Sequence, residues 1–243
     1  MLKKLLKALV NKAAQAFGYE LVAVSRNGFL INYRGIRKLL YFKRMLEHVK
    51  NIKGDIVECG VASGGSFVYL SILAKEENQG RKLWGFDSFE GLPEISAEDK
   101  DSGINPKKGD MRASVAEVNK LLARSRIGED FIESNISFVK GFFNESLKKY
   151  KAGPIAMLHI DVDIYDSYVT VLNELFPKVA VGGIVLFDEY MNSVENVNWP
   201  GAKKAIDKYF ANTPFSVCRD ELWGKFYLIK TEPFPKMINL QNK

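Results

Sequence analysis

Two cysteines and two histidines are all the thiol and imidazole metal ligands that 243 residues offer. Cys59 and Cys218 lie far apart and no C-x-x-C pair occurs, which excludes a disulfide framework and a cysteine zinc site. Both thiols are expected to be buried and reduced. No apolar run approaches the roughly 18 residues of a membrane span. The first residues lack the apolar core and small-residue cleavage site of a secretory signal, so a cytoplasmic protein is the expectation. The dinucleotide fingerprint G-x-G-x-x-G is missing as well: after Gly60, position 62 is alanine, which argues against a nicotinamide-dependent oxidoreductase. Internal repeats and low-complexity tracts are also lacking.

What is present is a globular composition, 47% apolar, long enough for one α/β domain with a substantial core. The net charge of +6 comes mainly from the first fifty residues, away from the glycine-containing stretch described next, and this weakens a nucleic-acid reading. Residues 2–17 carry Leu2, Leu5, Leu6, Leu9, Ala13 and Ala16 near one helical face, with lysines largely off it. Such a helix suits packing on the body or on a second subunit, giving a dimer, or a peripheral membrane-surface contact. A loop or short hairpin near residues 26–28 and a second helix over residues 35–52 complete an N-terminal helical extension, residues 1–53. His48 on that helix is read as a surface residue.

The chain is organised around residues 54–75, GDIVECGVASGGSFVYLSILAK. A short apolar strand, residues 56–59, runs into a glycine-containing turn and then a helix beginning near Gly65. Gly60, Gly64 and Gly65 allow tight turning and close backbone approach, and the helix start offers free N–H groups. Glu58, just before the turn, suits a ligand with positive charge; a ligand-free turn packed by its glycines is the alternative.

The next strand, residues 82–87, ends in Asp87, placed to accept hydrogen bonds from both hydroxyls of a ribose or else to cap the next segment. Residues 94–113 form a long polar connection, read as a lid over a ligand. A helix over residues 114–127 is capped by Ser114 with Glu117 completing a capping box. A third strand is expected at residues 136–140 and a fourth at 155–161, running into DVDIYDS. A fifth, at 183–190, ends in Asp188 and Glu189. Beyond a helix begun after Pro200, strand-like pieces at residues 215–219 and 225–230 form a closing antiparallel hairpin.

Strands one, two, four and five thus all end at or beside carboxylates, on the sheet edge where open parallel sheets bind ligands. Asp161, Asp188 and Glu189 are read as holding a hard divalent cation such as Mg²⁺. Alternatively, some of these acids cap helices or bind an amino group. Asp163 is read as a structural acid. His159 shares the strand face of Asp161, but one histidine does not make a zinc site.

The E-x-G-x-x-x-G-G pattern resembles motif I of the class I S-adenosylmethionine-dependent methyltransferases. Together with WGFDSFEGLP, HIDVDIYDS, GGIVLFDEY and PGAKKAIDKYF, it makes the chain resemble the macrocin and mycinamicin O-methyltransferase family. The resemblance implies a Rossmann-like fold: a mostly parallel seven-stranded sheet with helices on both faces and an antiparallel C-terminal hairpin, over residues 54–243. It implies S-adenosylmethionine bound by Glu58, Gly60, Val61, Ala62, Ser63, Gly64 and Ser66, and by Asp87, Ser88 and Phe89. Asp161, Asp188 and Glu189 would hold Mg²⁺ and the acceptor hydroxyl, with Asp161, or less readily His159, as catalytic base. The implied substrate is a sugar-containing or hydroxylated small molecule. The Asp188-Glu189 pair stands where two aspartates are expected in that family. Competing readings are a small-molecule phenol or catechol acceptor and a methyltransferase-like scaffold without activity. A nucleobase amino-methyltransferase is disfavoured, because no Pro-Pro pair follows strand four.

Overall fold

In a computed structural model, residues 32–190 and 197–233 are described. The amphipathic segment at residues 2–17 and the turn at 26–28, with the dimer and membrane roles attached to them, lie outside those residues. The elements are α1 (Tyr33–His48), β1 (Asp55–Cys59), α2 (Gly65–Glu77), β2 (Leu83–Asp87), α3 (Val115–Ser125), α4 (Glu129–Asn135), β3 (Ile136–Lys140) and α5 (Phe143–Ser146). They continue with β4 (Ile155–Ile160), α6 (Tyr165–Leu175), β5 (Val179–Phe187), α7 (Pro200–Phe210), β6 (Cys218–Arg219) and β7 (Phe226–Ile229).

The seven strands lie in the order β3-β2-β1-β4-β5-β7-β6. The first five are parallel, and β7 runs antiparallel between β5 and β6, so the expected hairpin is inserted with its second strand innermost. The chain winds outward from β1 to β3 and then returns to place β4 on the other side of β1. The crevice between β1 and β4 is therefore the switch point at which such sheets bind ligands. Both faces of the central strands are buried, so these strands read as near-continuous apolar runs. Val57, Cys59, Leu158, Ile160, Val185 and Phe187 pack with residues of α6 and α7 in the main core. The alternate residues turn to the other face, where Phe42 of α1 meets His159 edge-on with ring centroids 5.0 Å apart.

Helix α1 buries Tyr41, Phe42, Met45 and Leu46 and belongs to the same compact unit as the sheet. Ser114 caps α3 as expected, its Oγ accepting from Glu117 N at 3.2 Å, while the Glu117 carboxylate accepts from Ser114 Oγ at 3.0 Å in place of the backbone N–H of a full capping box. Strand β5 starts four residues earlier than its apolar run, because Gly182 at φ +83 and Gly183, pressed against the Ile155 carbonyl, carry the chain through an irregular register. One expectation fails: Cys218 is exposed. It sits on the two-residue edge strand β6, where no further strand or helix among the described residues covers its side chain.

Candidate active site

Strand register puts the acids together before any side chain is considered. Cys59 pairs with Phe86 and Ile160 with Phe187, so the next residues, Gly60 beside Asp87 and Asp161 beside Asp188, leave the sheet at one level. Three loops leaving this edge each hold a non-glycine residue in the left-handed region: Ala62 at φ +45, Phe89 at +51 and Asp163 at +64. Backbone of this kind costs energy and gathers at functional sites.

The β1 and β2 loops are tied by Asp87. Its Oδ2 accepts from Ala62 N at 2.8 Å and its Oδ1 from Phe89 N at 2.6 Å, which fixes the glycine turn against the second strand. Gly60, at φ +87, lies so close to β4 that a Cβ there would fall 1.6 Å from the Asp161 carbonyl oxygen. Only glycine permits this crossing of β1 and β4. Gly64 ends the turn at φ +87 as the residue before α2.

A cavity of about 930 Å³ opens over this edge, at the upper end of the range for small-molecule sites. Among the sequence-predicted residues, Gly60, Val61, Ala62, Ser63, Ser66, Asp87, Ser88, Asp161, Asp188 and Glu189 line it. Gly64, Phe89, Glu58 and His159 are not part of the lining. Phe89 is buried against Phe138, and Glu58 and His159 are fully buried on the α1 face of the sheet. The opposite wall comes from Arg34, the loop at Phe142 and Phe143, and Asp163, Asp166, Asn198 and Trp199. Glu94 and Met111, from the two ends of the 94–113 connection, also line it. That connection is tied to its surroundings: Gly103 N donates to Val197 O at 2.8 Å, and buried Asp99 accepts from Tyr165 N at 2.9 Å.

Beneath the floor the carboxylates are ordered by cations. Glu58 and His159 are register partners on adjacent strands, and Glu58 Oε1 lies 2.7 Å from His159 Nδ1. His159 Nε2 lies 3.8 Å from Asp188 Oδ1. Burial alone would lower the imidazole pKa, but the carboxylates on both sides outweigh it and raise it to about 9. Burial pushes the Glu58 carboxyl up, with His159 pulling it back. Burial would likewise raise Asp188, yet Lys38, His159 and Lys225 hold it well below the usual carboxylate range. Lys225 Nζ donates to Asp188 Oδ2 at 3.0 Å and to its carbonyl at 2.6 Å. Lys38 Nζ lies 3.5 Å from Asp188 Oδ1 and 3.8 Å from Asp161 Oδ2. Asp161, Asp163 and Glu189 are pushed up, first by burial and then by one another or by Asp188. Glu189 Oε2 accepts from Tyr168 Oη at 2.7 Å and from Asp163 N at 3.2 Å.

Two groups of ligand atoms, each within 4.8 Å of one another, result: His159 with Asp161 and Asp188, and Asp161 with Asp163 and Glu189. Asp161 belongs to both. A protonated imidazole offers no lone pair, so the first group is a poor cation site as it stands. The second is all oxygen, the donor set of Mg²⁺ and similar ions. The three acids singled out from sequence are thus divided between two groups joined at Asp161, and Asp163, read from sequence as structural, lies on the cavity wall. Lys38, Lys225 and Tyr168 carried no sequence signal: Lys38 and Tyr168 sit on helices whose pattern is explained by packing, and Lys225 lies just before β7.

Comparisons with known proteins bear on the family and the fold. Residues 23–214 match the Macrocin-O-methyltransferase (TylF) family. A demethyldecarbamoylnovobiocin O-methyltransferase from Streptomyces niveus is 33% identical over 181 residues, 73% of this chain and 66% of the relative. A mycinamicin III 3''-O-methyltransferase from Micromonospora griseorubida is 26% identical over 72% of this chain and 68% of its own length. A tetracenomycin-pathway relative from Streptomyces olivaceus, named as a rhamnosyl 4'-O-methyltransferase, matches at 29% over 64% of this chain. This chain spans a little under two thirds of the novobiocin and tetracenomycin relatives, 66% and 61%. Among solved structures, the O-methyltransferase NovP superposes with a TM-score of 0.70 at 27% identity, covering 81% of each chain. The calicheamicin methyltransferase CalS11 has the same fold, with a TM-score of 0.70 at 23% identity over 83% of this chain and 81% of its own. On the extent of the family match and the identity to its named relatives, the chain belongs to the macrocin O-methyltransferase family.

Proposed function

We propose that this protein is an S-adenosylmethionine-dependent O-methyltransferase acting on a hydroxyl of a sugar or glycosylated small molecule. One observation carries the reading. The Asp87-braced glycine turn and the acids after β4 and β5 line a single cavity large enough for a nucleoside cofactor and an acceptor together. The three named relatives, which modify novobiocin, tetracenomycin and mycinamicin compounds, support the substrate class.

In this reading Gly60, Val61, Ala62, Ser63, Ser66, Asp87 and Ser88 hold the cofactor. The Asp87 carboxylate already accepts from Ala62 N and Phe89 N, and its remaining lone pairs are available to ribose hydroxyls. Glu58 and Phe89 act from behind the turn, Glu58 through its bond to His159. Residues 94–113 cover the cavity, with Glu94 and Met111 facing it. A divalent cation such as Mg²⁺ would be held in this reading by the all-oxygen group Asp161, Asp163 and Glu189, with Asp188 beside Asp161 as a further ligand. Such an ion, when bound, would lower the pKa of the acceptor hydroxyl. Transfer from a sulfonium is an in-line displacement, so much of the work is positioning the hydroxyl oxygen behind the methyl carbon. Asp161 receives the hydroxyl proton in this reading. Burial and Asp188 raise its pKa in the metal-free site. His159, not part of the cavity wall, orients Asp188 and does not touch substrate.

The test is methyl transfer from labelled S-adenosylmethionine to a panel of glycosylated aglycones, nucleoside diphosphate sugars and catechols, with Mg²⁺ or with EDTA. Label in a sugar acceptor that EDTA abolishes is the expected result. Transfer only to catechols would overturn the substrate class, and transfer unaffected by EDTA would overturn the metal role.

A further inference from the structure

Two lysines reach the acidic cluster, and they do so differently. Lys225 touches Asp188 at 2.6 and 3.0 Å and is a fixed part of the fold. Lys38 comes from α1 and places its ammonium between two carboxylates, 3.5 Å from Asp188 and 3.8 Å from Asp161. Both distances exceed the 2.7–2.9 Å of a charge-assisted hydrogen bond. The ammonium therefore neutralises the pair without being locked to either acid. Its side chain is 20% exposed, and the ammonium lies 5.7 Å from the Phe42 ring centroid, which gives it an apolar wall and a path toward solvent.

Asp161 is also the residue shared by both candidate cation groups. A divalent ion bound there would have a fixed positive charge within a few ångströms. At that range, near a protein surface, like charges repel by several times the thermal energy. We propose that Lys38 is a built-in counter-cation of this cluster that competes with the divalent ion for Asp161 and Asp188, so that the metal enters only as the lysine withdraws. This rests on the metal reading above and adds the residue that sets the affinity. It also accounts for a cluster of buried and half-buried acids that remains compatible with folding in the absence of metal, since clustered carboxylates without a cation repel.

Mn²⁺ binding, followed at one fixed pH by the electron paramagnetic resonance of the free ion and by calorimetry with Mg²⁺, tests this. The chains compared are the wild type, Lys38→Met, Lys38→Gln and Lys38→Arg, each first checked for binding of S-adenosylhomocysteine as a sign of a folded site. The neutral variants are expected to bind Mn²⁺ at least ten-fold more tightly than wild type, while Lys38→Arg stays within about three-fold. In EDTA the neutral variants should unfold at lower urea than wild type, and Mn²⁺ should restore them by a larger margin. Equal or weaker Mn²⁺ binding by both neutral variants would overturn the role of Lys38 and leave the metal reading standing. No Mn²⁺ binding by any of the four chains, with S-adenosylhomocysteine still bound, would overturn the metal reading itself.

Discussion

Replacing Gly60 with alanine perturbs the junction on which the whole site is built. The added Cβ would lie 1.6 Å from the backbone oxygen of Asp161 and 2.7 Å from its carbonyl carbon. Backbone cannot swing away as a side-chain tip can, so β1 and β4 must part by about 1.5 Å in an interior packed too densely to absorb it. Two backbone hydrogen bonds are lost if Gly60 is displaced: Asp161 N to Cys59 O at 3.0 Å, across β1 and β4, and Gly60 N to Phe86 O at 2.9 Å, from the turn to β2. Losing both costs about 2 kcal/mol at about 1 each. Holding alanine in the left-handed region costs about 1–2 kcal/mol more. A total of roughly 3–4 kcal/mol follows, a large share of a typical 5–15 kcal/mol stability. Gly153→Ala is the control, because a Cβ there meets no atom within 4 Å; it should change stability by less than about 1 kcal/mol, in the favourable direction. Urea unfolding of the two variants and the wild type, followed by titration with S-adenosylhomocysteine, reads both effects. Gly60→Ala within 1 kcal/mol of wild type and binding the nucleoside normally would refute the idea that this close crossing shapes the site.

Three further outcomes are expected. Asp161→Ala should abolish methyl transfer while changing S-adenosylhomocysteine affinity less than about three-fold; an equal loss of affinity and turnover would assign Asp161 to the cofactor instead. Asp87→Ala removes the acceptor of Ala62 N and Phe89 N along with the ribose partner, so calorimetry should show S-adenosylhomocysteine bound at least ten-fold more weakly. His159 is raised to about 9 from 6.5 in the folded chain, so its contribution is fully present below pH 6.5 and is lost as pH rises through 9. In EDTA the urea midpoint should fall across that window, by at most roughly 3 kcal/mol of stability. Glu58 and Asp161, also raised, act with the same sign at lower pH. A His159→Gln variant should flatten the fall, and a wild-type midpoint constant from pH 6.5 to 9 would contradict the buried ion pair.

Much of the fold is legible because parallel strands buried on both faces write themselves as short apolar runs. β1, β2, β3 and β4 lie within a residue of those runs. The start of β5 is not legible, since Gly182 and Gly183 look like a turn and only pairing with β4 and β7 keeps that segment in the sheet. Nor is the exposure of Cys218, which follows from its strand being outermost. The chemistry divides in the same way. Acids at strand ends are readable because the edge is set by topology, so Asp87, Asp161 and Asp188 come together as expected. What those acids touch depends on helices distant in sequence. The ammonium of Lys38 arrives from α1, more than a hundred residues before Asp161, and Tyr168 of α6 fixes Glu189. Glu58 was expected to face a cationic ligand. Strand alternation instead turns it to the α1 face, where His159 is its register partner.

Calorimetric titration with S-adenosylhomocysteine, with and without Mg²⁺ and with NADH as control, tests the central claim most directly. The account predicts micromolar binding of S-adenosylhomocysteine, a change in that binding when Mg²⁺ is present, and no heat with NADH. If neither nucleotide bound in either condition, the cavity over Gly60 and Asp87 would not be a cofactor site, and the enzymatic reading would be contradicted.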